Sequence, residues 1–277
     1  MKQVIFILAL MVSFGSVRAD NWLTSFEEAQ KLALGTNKLI LVDFWATWCG
    51  PCKRMDSESW SKDEVHLLMD NYVPVKIDID KNRALAQKYG VNGIPFIFIM
   101  DGNGKVVYKE MSYKRKSEVI RLLEKYALNT SYLSKDLINY YKNTSFTTAF
   151  RLGVKYQDYS LHLGDSIQKD ILTLSTSYLE DAEAYLKESK MKNKKAFKQK
   201  ITLFKIQETL ILNKPDKALK QLGKIKEESL EQINVELYSF LYYVAYLKLG
   251  DDSNISKWRN QISEADIRKA DLFIETS

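Results

Sequence analysis

WATWCGPCKRM, Trp45 to Met55, holds the only two cysteines of a 277-residue chain. Gly50 and Pro51 alone separate Cys49 from Cys52. A disulfide across so short a spacing closes almost no loop, so its entropic stabilisation is small. A chain of this length buries a core without staples. A structural zinc site needs four ligands, and the only histidines, His66 and His162, have no second cysteine pair to join. No metal and no cofactor is therefore expected. What remains is redox chemistry by the Cys49–Cys52 pair.

Position on the chain assigns the two thiols different work. KLILVDFWA, Lys38 to Ala46, is an apolar, β-rich run, and a helical stretch follows the cysteines through about Tyr72. Cys49 thus falls where a strand ends and a helix begins. Unpaired N–H groups at a helix start stabilise an anion, and a thiolate is that anion. Cys49 is the expected attacker. Cys52, one turn inward and expected to be the more buried, resolves the mixed disulfide that Cys49 forms. Gly50 and Pro51 let the loop turn tightly, and proline suits a first helical turn. Lys53 and Arg54 add positive potential, although a solvated helix face explains them equally well. Asp43 lies inside the apolar strand, where a lone carboxylate needs a partner or a raised pKa.

Working outward, strand and helix patterns alternate to Leu128. LTSFEEAQKLAL is a helix, PVKIDID (Pro74 to Asp80) a strand and NRALAQKYG a short helix. IPFIFIM and KVVYKE are strands joined by the turn DGNG, and KRKSEVIRLLEKYAL closes the unit. This order implies a mixed sheet flanked by helices on both faces. Beyond Asn129 the strand signals stop. Leu, Tyr, Ala and Ile recur at three- and four-residue steps, as in LYSFLYYVAYLKLG, and Pro215 is the only proline. An all-α domain is expected. LILNKPDKAL, Leu210 to Leu219, aligns with LKLGDDSNIS, Leu247 to Ser256, and RLGVKYQDY carries an L-G-x2-Y fragment. These fragments resemble a degenerate tetratricopeptide array; an ordinary helical bundle explains them as well.

FWATWCGPCK, the strand ahead of it, and Gly93-Ile94-Pro95 some forty residues later together resemble the thioredoxin family, over about Trp22 to Leu128. The segment Glu58 to Asp80 is similar to thioredoxin-like domains of exported disulfide reductases. The resemblance implies that Asp43 accepts the Cys52 proton through water and that Lys76 is its opposing charge. It implies a cis Pro95 beside the cysteines, with Ile94 offering backbone groups to an extended substrate. Trp48 is expected to lid the site and Trp45 to pack beside it. Two positions depart from the family: Phe96 stands where thioredoxins carry threonine, and YKEMSYKRK lacks the usual glycine after the last strand. Both border the family's substrate groove.

The chain opens with Lys2, an apolar run from Val4 to Phe14, and small residues ending at Ala19. That is the order of a secretory leader, and the run is shorter than the ~20 residues of a spanning helix. A leader at 1–19 is expected, followed by a thioredoxin-like unit at 20–128 and a helical unit at 129–277. Export places the mature chain in the periplasm or outside the cell, without membrane insertion. The net charge of +6 loses Lys2 and Arg18 with the leader. The densest basic stretch, Lys187 to Lys200, has lysines on all sides and reads as a solvated helix end, so no nucleic-acid partner is expected.

The function these readings define is thiol–disulfide exchange on protein disulfides, recharged by a soluble or membrane dithiol donor. Gly-Pro between the cysteines resembles the reducing members of the family; oxidase or isomerase chemistry, or an adaptor in which the helical domain does the work, are the other readings. The redox unit looks complete by Leu128 and of a size that folds unaided.

Overall fold

The computed structural model describes residues 22–275. The expected leader at 1–19 lies outside them. Helix α1 (Phe26–Thr36) starts at Ser25, whose hydroxyl caps the Glu28 N–H, and stops at Asn37 in the left-handed region. Strand β1 (Leu39–Trp45) leads into α2 (Gly50–Met55), which passes directly into a π-helical turn at Asp56–Trp60. Then come α3 (Asp63–Met69), β2 (Tyr72–Asp78), α4 (Arg83–Lys88), β3 (Phe96–Met100), β4 (Val106–Met111) and α5 (Lys116–Lys125). The expected continuous helix to Tyr72 is thus broken twice. Tyr72 instead opens β2, its hydroxyl donating to the Leu123 carbonyl at 2.5 Å.

The sheet order is β2-β1-β3-β4, with β1 parallel to β2 and the other pairs antiparallel. Because side chains alternate along a strand, β1 feeds two cores. Ile40, Val42 and Phe44 pack with Val75, Phe98, and Ala29 and Ala33 of α1. Leu39 and Leu41 pack on the opposite face with Met55, Trp60, Val65 and Leu123. Asp43 shares the parity of Leu39 and Leu41. This is the thioredoxin fold, with helices on both faces.

A helical region follows: α6 (Ser134–Lys142), α7 (Phe146–Ser160), α8 (Asp165–Glu188), α9 (Lys194–Ile211), α10 (Pro215–Leu222), α11 (Val235–Leu249), α12 (Asp252–Arg259) and α13 (Glu264–Glu275). Consecutive members pack pairwise from α6 to α12, and α11 also touches α9 and α13. The two aligned segments are both helix–turn–helix corners. Each turn holds a residue in the left-handed region, Asn213 (φ 54°) in one and Gly250 (φ 68°) in the other. Among the described residues no helix is long and apolar enough to cross a membrane.

The apolar core does not end at Leu128. The cluster that begins under the sheet continues through Leu133, Leu137, Tyr156, Ile171 and Tyr178 as far as Phe204. The junction is also polar at its centre. Asp101, expected only as the first residue of the DGNG turn, is fully buried. Its carboxylate accepts from the hydroxyls of Tyr156 (2.9 Å) and Tyr178 (2.6 Å), and from the N–H groups of Asn103 and Lys105. Lys105 adds an ion pair to Asp181 at 2.7 Å. The expectation that the first unit closes on itself therefore misses a shared interior. Sequence periodicity shows that a face is apolar and not which element covers it.

Candidate active site

β1, an interior strand, delivers the chain to one end of the sheet, and Cys49 is the N-cap of α2 with extended backbone. Its sulfur accepts from the Cys52 N–H at 3.1 Å, so a helix-start donor is aimed at that sulfur. The two cysteines are joined as a disulfide. Both are buried, Cys49 at 3% and Cys52 at 2% exposure, so burial does not distinguish them in this state; the capping position does. Pro51 occupies the first turn, as expected. Gly50 is not demanded by packing, since a Cβ there would meet nothing within 4 Å.

Around the pair, Ala46, Trp45, Ile79 and Ile94 form a small apolar collar. The Ile94–Pro95 peptide bond is cis, and Pro95 is buried while Ile94 is half-exposed. Trp48 is 65% exposed, and its indole N–H donates to Asp80 at 2.8 Å from the loop after β2. Met111, where the sequence lacks the expected glycine, is half-exposed at the end of β4 and pairs in register with Phe96. Its sulfur crowds Gly93: a Cβ there would stand 2.5 Å from it.

A charged group adjoins the collar at Trp45. Asp43 and Lys76 are register partners across the β1–β2 pair. The Lys76 ammonium is 4.0 Å from one Asp43 oxygen, while the other oxygen is buried without a hydrogen-bond partner. Burial pushes the Asp43 carboxyl up to about 7; Lys76 opposes this and the nearby Asp56 carboxylate adds to it. The Trp60 indole favours the charged form weakly, yet its N–H completes no hydrogen bond of normal geometry. Lys76 itself is in direct contact with Asp56, and lies 5.2 Å from the Trp22 ring and 5.7 Å from the Trp45 ring. A parallel bridge from Leu23 to Val75 beside β2 holds Trp22 there, edge-on to Trp60.

Asp43 and Lys76 are thus brought together, as are Cys49, Cys52, Ile94 and Pro95. Arg54 lies over the Tyr113 ring at 4.4 Å, and His66 sits on α3. Sequence reasoning missed Asp56, Trp60 and Trp22. Asp56 alone had a signal: it is four residues after Cys52, hence on the same helical face.

The fold and the cysteine pair define a thiol–disulfide oxidoreductase. A family model described as a thioredoxin-like domain matches residues 26–127. Thioredoxin from Bacillus subtilis (strain 168) is 38% identical over 88 residues, covering 32% of this chain and 82% of that protein. Thioredoxin from Griffithsia pacifica is 35% identical over 108 residues, covering 39% and 93%. A solved N21Q mutant thioredoxin from Halobacterium salinarum NRC-1 is 28% identical with a TM-score of 0.32, covering 39% of this chain and 89% of that one. The chain belongs to the thioredoxin family.

Proposed function

We propose that the protein reduces protein disulfides outside the cytoplasm, with a leader at 1–19, a redox domain at 20–128 and a helical domain at 129–277. The observation that carries the chemistry is Cys49 at the N-cap of α2, its sulfur facing the Cys52 N–H. In the reduced protein the Cys49 thiolate attacks one sulfur of a substrate disulfide and expels the other as a thiolate. Asp43, through water, takes the Cys52 proton. The Cys52 thiolate then attacks the Cys49 sulfur, releasing the second substrate thiol and leaving the Cys49–Cys52 disulfide. A dithiol donor, soluble or membrane-held, returns two electrons to that bond.

In this reading Lys76 is the charge opposing Asp43, Ile94 and the cis Pro95 seat an extended substrate segment, and Trp48 covers the site. Gly50 and Pro51 set the loop. The helical domain, read as a tetratricopeptide-like array, chooses the partner; its two left-handed corners, 37 positions apart at Asn213 and Gly250, support the array. The chemistry is tested by trapping. Cys52→Ser should accumulate mixed disulfides and Cys49→Ser should form none; the reverse pattern would overturn the assignment. Direction is tested by equilibration with glutathione. A potential near about −270 mV supports reduction, and one near about −120 to −180 mV sinks it.

A further inference from the structure

Three groups from three elements meet: Asp43 on β1, Lys76 on β2 and Asp56 at the start of the π-helical turn. The two carboxylates compete for one ammonium. Asp56 holds it in direct contact, whereas Asp43 stands 4.0 Å away, beyond hydrogen-bond reach, with its other oxygen unpartnered. The lysine side chain is 14% exposed and bounded by the Trp22 and Trp45 rings, so water screens this competition little.

We propose that Asp56 is a positioning residue: its carboxylate tethers Lys76 away from Asp43, so that Asp43 stays basic enough to take the Cys52 proton. The inference rests on the proposed role of Asp43 and deepens it. A lysine ammonium is a point charge on a flexible stem. Without Asp56 it would swing the short remaining distance to Asp43 and turn their 4.0 Å pair into a hydrogen-bonded one. The paired carboxylate would then be a weaker base. General-base efficiency is best when the pKa lies near the working pH, and burial places Asp43 there, at about 7. The groups facing Asp43 are Lys76 from β2, and Asp56 and the Trp60 indole from the π-helical turn. Asp56 thus acts in two senses of one sign: it repels a charge on Asp43 and it withholds the cation. A bridge without the tether would still move Asp43 when cut, through the lost repulsion alone, and by the same amount whether or not Lys76 is present.

The test follows the Asp43 carboxyl carbon by NMR through a pH titration of the full chain. Asp56→Asn should move its midpoint down by about one pH unit or more, an ordinary effect of a charge partner within a few ångströms. Asp56→Ala serves as a second charge-free variant. The same substitution in a Lys76→Met background should move the midpoint much less, because the cation to be withheld is gone; this cycle isolates the tether. Resolution of a preformed mixed disulfide should show an inflection displaced to lower pH and a plateau above pH 8 lowered about threefold. An unmoved Asp43 midpoint overturns the tether. An equal shift with and without Lys76 also overturns it, since Asp56 would then act by direct repulsion. Asp43→Asn separates the two layers: an unchanged resolution rate there sinks the base role itself, whereas the midpoint reads the tether independently.

Discussion

Asp43 and Asp101, both buried in or beside the same sheet, are kept differently. Asp101 is saturated. Two tyrosine hydroxyls and two backbone N–H groups point at it, and it joins the β3–β4 turn to α7 and α8. Asp43 is starved: one oxygen has no partner, and the cation beside it is in contact with another carboxylate. Burial raises the pKa of both, but at Asp101 four hydrogen bonds oppose the rise, and at Asp43 the main opposing group is Lys76. A carboxylate held by many donors fixes structure. A carboxylate left short of them stays near the point where a proton is taken or released, which is what the proposed chemistry requires.

The strongest test of Asp101 as a structural centre is to remove what it holds. Cutting the chain after Asn129 takes away Tyr156, Tyr178 and the helical half of the shared core. The fragment is expected to aggregate or to lose cooperative unfolding, read by sedimentation and urea titration. A soluble fragment that still unfolds cooperatively would mean that the shared core is dispensable. Next in size, Asp101→Ala should cost roughly 3–5 kcal/mol in urea, since it strands buried donors as well as deleting bonds. Tyr178→Phe, which removes one of the four donors, should cost about 1 kcal/mol. If both cost the same small amount, the network is not the junction.

Asp43 should behave oppositely. Its pKa, about 7 in the fold against a usual 3.8, means that the folded state holds the proton more tightly. Stability attributable to it is complete below the unfolded value and is lost as pH rises to about 7. Asp43→Asn is therefore expected to stabilise the protein by roughly 2–4 kcal/mol at pH 8 and by almost nothing near pH 4. A variant less stable than the parent at pH 8 would place Asp43 with Asp101 as a structural group.

The contrast between the two aspartates was half legible in sequence. Asp43 stood out because an apolar strand makes a single charge conspicuous; Lys76 came only with the family resemblance, and the parallel register that sets it beside Asp43 is seen in the fold. The cysteines, Ile94 and Pro95 lie in short segments of high local information. Asp101 read as a turn residue because DGNG is a turn; only the packing of α7 and α8 onto it shows that it is also a buried acceptor. Trp22 and Trp60 carry no local signal, since each matters through a neighbour far off in sequence. The π-helical turn at Asp56–Trp60 was hidden for a related reason: apolar spacing places residues on a face but does not report an extra residue in one turn.

The central claim is that Asp43 takes the Cys52 proton during resolution. It is tested most directly by the rate at which a preformed mixed disulfide on Cys49 is released between pH 6 and 9, in the full chain and in Asp43→Asn. The account predicts an inflection near 7 in the parent, and in the variant a rate lower by about 10²-fold with that inflection gone. Equal rates across the range would contradict it.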